Sequence, residues 1–216
     1  MIAVPCTLFS LAMTDLIPAI DLSTLPKREL LEAVAQENAF RIAQDAPWIT
    51  NVGEMAAEIG EQKGSLKAKY IRLRKLGDRI ASAIAPHAAC QKSCSHCCHI
   101  SVAINEIEAD IIAEATGRKR APSPTEAADD TETLAKQYFR QPCPFLKDSS
   151  CSIYAIRPMA CRLYFSISGT SVMCDTRVPP EFSAAVNLNL QDFWFSYMAE
   201  MHKAGLEDIR YFFPSP

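Results

Sequence analysis

Cysteine dominates the chemistry available to this chain. Nine cysteines occur in 216 residues, and four of them fall inside Cys90–Cys98, in the run CQKSCSHCCH: Cys90, Cys94, Cys97 and Cys98. His96 and His99 are interleaved with them. Four more, Cys143, Cys151, Cys161 and Cys174, are spread over the following segment. Thiols at this density serve a metal, a disulfide framework or redox exchange. Zinc asks for four thiolate or imidazole ligands in a tetrahedron, assembled from close pairs in different segments. A local group (Cys90, Cys94, Cys97, Cys98) and a dispersed group (Cys143, Cys151, Cys161, Cys174) both meet that arithmetic. Cys6 is left over and is not expected to be a ligand.

Compartment separates the three chemistries. The first twenty residues are apolar but carry no Lys or Arg before Lys27, so the positive region of a signal peptide is missing. Pro5 and Asp15 interrupt the apolar run, and no span reaches transmembrane length. The reading is a cytoplasmic protein, where a disulfide framework is disfavoured. Redox exchange through Cys94-Ser-His-Cys97 lacks the strand-then-helix context of thioredoxin-like motifs. Metal remains.

Spacing sharpens this. If the run is helical, Cys90, Cys94 and Cys97 form one stripe, and Cys98 points about 100° away. Cys98 then serves a second centre or is a buried structural thiol, and a polynuclear cluster accommodates the adjacent pair more easily than one zinc. His96 and His99 are near enough to substitute for a thiolate, and each otherwise reads as a surface or outer imidazole. All-thiolate ligation suits zinc and iron–sulfur alike. Tyr154, Arg157 and Arg162 either offset the negative charge of such a centre or bond loop carbonyls around Pro158.

The elements that must position these thiols read as mostly α. Hydrophobic residues make up 49% and charged residues 22% of the chain, with a net charge of -3, an ordinary globular composition that gives no general reason to expect nucleic acid. No G-x-G spacing and no Gly-Lys pair occurs, which removes the usual dinucleotide and phosphate loops. Helices are expected over residues 27–46, with Leu30, Leu31, Val34 and Ile42 near one face, over 53–62, and from Ser65 to Pro86. The last is amphipathic, with Lys67, Lys69, Arg72, Arg74, Lys75 and Arg79 as a cationic outer face that reads as solvated. ISVAI (100–104) is a short strand, and Asn105 and Glu108 form a capping box for a helix that Gly117 ends. Ser123 and Pro124 start another helix. Cys143, Cys151, Cys161 and Cys174 are placed in loops broken by Pro142, Pro144 and Pro158. Asn187–Lys203 is an aromatic helix packing on the N-terminal ones.

The cluster CQKSCSHCC, PCPFL at 142–146 and CSIYAIRPMACRLY at 151–164 together resemble the YkgJ-type cysteine-cluster family, described as zinc- or iron-chelating. The likeness covers about residues 88–176 and rests on Cys143, Cys151, Tyr154, Arg157, Pro158, Cys161 and Arg162, and on the kept spacing of Cys94, Cys97 and Cys98. Between Cys90 and Cys94 this chain has three residues where the family hallmark has two. The resemblance implies a metal-binding module, with zinc or iron (as a 4Fe-4S cluster in one version) as cofactor. It does not imply a reaction. The C-x3-C-x2-C spacing is also that of radical S-adenosylmethionine enzymes, though the alternating strands and helices of their barrel are missing. Cysteine clusters of the family further resemble a segment of flagellin lysine methylases. The expectation is therefore a helical region at 1–86 (1–20 flexible), a metal module at 87–176 and a C-terminal helical region at 177–216. Its partners are a metal ion and a further protein, without nucleic acid or membrane. Chelation is the function, with an iron–sulfur enzyme as the alternative.

Overall fold

The computed structural model describes residues 20–90, 94–123, 131–179, 182–183 and 186–215. It is mostly α-helical. Cys6 and the helix start at Pro124 lie outside the described residues.

Three helices open the fold: α1 (Arg28–Asp45), α2 (Val52–Glu61) and α3 (Leu66–Ile84). The inward stripe of α1 is Leu31, Ala35 and Ile42, so Leu30, expected on that face, points outward at 60% exposure. Ser65 caps α3 by accepting from Ala68 N. The buried face of α3 runs through Tyr70, Leu73, Leu76, Gly77, Ile80, Ala81 and Ile84, as its period requires. Its cationic face has partners inside the molecule: Lys67 meets Glu114, Lys69 meets Glu200, Arg72 and Arg74 bond the carbonyls of Lys63 and Ala155, and Arg79 lies over Trp48.

α7 (Gln191–Met201) lies against α2 and α3. It is shorter than the sequence implied, because residues 187–190 are not helical and a 3-10 turn, His202–Ala204, follows it. α2 and α7 touch at Gly53, where an added Cβ would stand 2.6 Å from Asp192 Cβ and 3.1 Å from its backbone carbon. With α6 (Met159–Leu163), these helices enclose the larger core, which includes Leu73, Ile80, Ile84, Met159, Phe193 and Tyr197.

A smaller core of Ile104, Ile112, Phe145, Ile153, Ile209, Phe212 and Phe213 supports the cysteine region. β1 (Ala103–Asn105) is displaced from the expected 100–104, and its antiparallel partner is β4 (Leu206–Asp208), followed at once by α8 (Ile209–Phe212). α4 (Glu106–Thr116) starts with the complete Asn105–Glu108 capping box and ends at Gly117, whose φ of 69° places it in the left-handed region. α5 (Thr131–Tyr138) follows. The hairpin β2 (Leu146–Lys147) and β3 (Ser150–Cys151) turns through Asp148 and Ser149, both at positive φ.

One buried polar knot joins the two cores. Glu108, 3% exposed, accepts hydrogen bonds from Tyr70 Oη, Asn105 N and Met159 N. Asn105 in turn donates to Tyr197 Oη at 2.9 Å. Burial raises the Glu108 carboxyl above its ordinary value, against the downward pull of these donors and of Arg162.

Candidate metal centre

The cysteine run is not an α-helix where it is described. Cys94 and Ser95 are irregular and His96–His99 is a short 3-10 turn. Within it Cys98 N bonds back three residues to Ser95 O at 2.9 Å, and the run is tied to other segments where Cys98 O accepts from Cys143 N at 2.7 Å and His99 O from Arg140 N at 2.8 Å. The dispersed cysteines are also more ordered than expected. Cys151 ends the hairpin, Cys161 sits in α6 with Pro158 at the N-cap, and Cys174 closes a 3-10 turn, Val172–Cys174.

These segments converge. Cys90, Cys94, Cys97, Cys98, Cys143, Cys151 and Cys161 line one cavity of about 500 Å³. Cys174 lies in an adjoining depression with Asp175, and Tyr164 lines both. Local and dispersed groups therefore share one space. Among the described residues, no three His, Cys, Asp or Glu side chains stand together as a metal site. His96 and His99 do not line the cavity. His96 Nδ1 stands 3.8 Å from Asp175 Oδ2, and His99 Nδ1 is 3.2 Å from Ser95 O.

Of the two cations that line the cavity, Arg157 and Arg162, Arg157 faces Tyr154. Its guanidinium stacks on Tyr154 at 4.2 Å, and its Nε is buried without a hydrogen-bond partner among the described residues. Arg162 behaves as the loop-carbonyl reading supposed, donating to Ala155 O and Arg157 O, and it also pairs with Asp78.

Burial raises most of these thiols: Cys143 to about 11, Cys174 to about 12, and Cys161 well above the ordinary range. Cys97 is the exception. Cys98 donates to its sulfur and the Arg157 charge helps, which brings Cys97 down to about 7 and pushes Cys98 up. A metal binds the thiolate, so binding at these thiols would have to release their protons.

Arg210 is the residue that sequence reasoning missed. Its guanidinium donates to the carbonyls of Cys98, Ile100, Gln141 and Pro142. It thereby clasps the first cysteine segment to the second from the far end of the chain. Asp208, fully buried, holds the guanidinium and caps α8. Asp208 Oδ2 also accepts from Ser101 Oγ and Val102 N. The only sequence signal was the short cap pattern Asp208-Ile209-Arg210.

Fold and site together define a helical scaffold carrying a cysteine-rich module. Residues 89–178 match the model of the CxxCxxCC family, described as a "Putative zinc- or iron-chelating domain". The match covers somewhat less than half of the chain and leaves the N-terminal helices, α7 and Arg210 outside it. No curated protein and no solved structure matches the chain.

Proposed function

We propose that this is a zinc- or iron-binding protein whose ligands are Cys90, Cys94, Cys97, Cys98, Cys143, Cys151, Cys161 and Cys174, acting in the cytoplasm as a metal-dependent binding module. The observation that carries the reading is the shared cavity: seven thiols from separate segments border one space. Free cysteines pack as small hydrophobes, and nothing in packing alone brings so many to one wall. The donor set fits the metal the family description names. All-sulfur ligation suits zinc and iron–sulfur centres and does not suit magnesium or calcium.

A second reading, an iron–sulfur enzyme, is favoured by the size of the cavity. About 500 Å³ falls within the range of small-molecule sites and exceeds what metal ions need. A barrel of the radical S-adenosylmethionine type is not its setting, since the strands described form two two-stranded sheets.

Anaerobic purification followed by metal analysis and a visible spectrum separates the two. Colourless protein with stoichiometric zinc supports the binding module, and a brown protein with broad charge-transfer absorbance supports iron–sulfur. In either case Cys97→Ser and Cys161→Ser should lower bound metal and melting temperature together. Unchanged metal content in both variants would refute the ligand assignment.

A further inference from the structure

Three arginines converge on the turn that precedes α6, and one of them has no polar partner. Arg74, from α3, and Arg162 both donate to Ala155 O, and Arg162 also donates to Arg157 O. Arg162 uses both terminal nitrogens on these carbonyls and on Asp78. The Arg157 guanidinium lies over the rings of Tyr154 and Phe165, 4.2 and 6.0 Å from their centroids. It makes no hydrogen bond or ion pair among the described residues, and its Nε is buried without a partner.

No carboxylate on the cavity wall is left to meet it. Among the described residues that line the cavity the acid is Asp78, which pairs with Arg162. Glu108 is not on that wall, and its oxygens are engaged by Tyr70, Asn105 and Met159.

The cavity also has a wall that holds no thiol. α3 contributes Asp78, Ala81, Ser82 and Ala85. Ala81 and Ala85 stand one helical turn apart on the same face, and their methyl groups leave room that longer side chains would fill. Val102, Ile153, Phe165 and Ile209 extend the apolar lining. Thiolate-bound ions contact sulfur and need neither apolar surface nor a space of about 500 Å³. A small organic molecule uses both, with a few placed polar groups to orient it.

We infer that this part of the cavity binds a small carboxylate with an apolar body, its oxygens on the terminal nitrogens of Arg157 and its body against Ala81, Ala85 and Phe165. One unpaired guanidinium presents a planar fork that matches two carboxylate oxygens, whereas a phosphate dianion asks for more donors. The charge of Arg157 also reaches Cys90, Cys97 and Cys151, so the bound molecule lies beside the thiols. Offsetting the charge of metal-bound thiolates needs only a point charge, which lysine supplies equally.

The inference rests on the shared cavity and not on the metal, so the two readings fail separately. The full chain, purified anaerobically and isotope-labelled at arginine, is assayed for metal and titrated with sodium benzoate by NMR and calorimetry. The buried Nε–H of Arg157 is shielded from exchange with water. Its signal, identified by its loss in Arg157→Lys, should shift saturably with one benzoate per chain. Arg157→Lys should weaken binding roughly tenfold or more at unchanged metal content. Equal affinity in that variant would overturn the role of Arg157. Ala85 is exposed, so Ala85→Phe fills the space without entering the core. It should weaken benzoate to a similar degree, and it tests the site even where Arg157→Lys does not fold. No saturable binding to metal-bearing wild type would overturn the carboxylate site and leave chelation standing. Saturable benzoate binding to a chain purified without metal would support the site while overturning chelation. Inorganic phosphate binding as tightly as benzoate, and unaffected by Ala85→Phe, would overturn the apolar-bodied class of ligand.

Discussion

In the scaffold of α1, α2, α3, α6 and α7, helices satisfy their own backbone groups and burial of Leu73, Ile80, Ile84 and Phe193 holds them together. The cysteine module works otherwise. In it the stretches 94–102 and 139–145, on either side of α4 and α5, are largely irregular. Its carbonyls are met instead by groups from distant segments: Arg210 at Cys98, Ile100, Gln141 and Pro142, Arg140 N at His99, and Cys143 N at Cys98. A helix loses little when one contact is deleted. A segment held by one guanidinium loses its course. The module therefore depends on a few polar anchors, and the scaffold on area.

The sharpest test of this contrast is Arg210→Met. It leaves Asp208 buried and uncompensated and four carbonyls without their donor. Removing one partner of a buried ion pair costs about 3–5 kcal/mol. We expect bound metal to fall, and hydrogen exchange to rise across residues 94–105 and 140–152 while α2 and α3 keep their protection. Uniform loss of protection in both regions would break the comparison.

Gly53→Ala tests the scaffold in the opposite sense. The added Cβ meets Asp192, backbone included, so α2 and α7 must separate. Overpacking of this kind costs about 1–3 kcal/mol, read as a lower denaturant midpoint, and metal per chain should not change. Metal loss in this variant would show that the two regions are one cooperative unit.

The smallest effect belongs to the knot between them. Because burial raises Glu108 in the folded chain, the native state holds its proton more tightly than the unfolded chain does. The associated stability is complete below the ordinary value of 4.5 and is lost as pH rises through the raised native value, by at most about 1.4 kcal/mol per pH unit. Glu108→Gln should remove that slope, since thiols and metal are common to both proteins. Denaturant midpoints measured at several pH values for the pair check it, and parallel slopes would assign the pH dependence elsewhere.

Much of this protein was legible in order along the chain. The apolar period of α3, the Asn105–Glu108 box, the Gly117 stop and the CxxCxxCC elements are local patterns, and local patterns survive into the fold because backbone geometry repeats with fixed period. The metal-module elements needed no tertiary information to be recognised, since ligand spacing is itself the signal.

Only the tertiary structure decided the rest. Of the residues expected on the inward face of α1, Leu31 and Ile42 are buried and Leu30 is exposed, because neighbouring helices choose among nearly equivalent stripes. The Cys94–His99 region turns through a short 3-10 helix and is tied to Cys143 and Arg140, and no sequence period records a donor lying over forty residues away. Pairing of β1 with β4, the clasp by Arg210 and the gathering of seven thiols on one cavity wall are contacts between segments far apart in the chain. Their cost and gain depend on the closed fold, so residue order determines which thiols exist and the packing determines which of them meet.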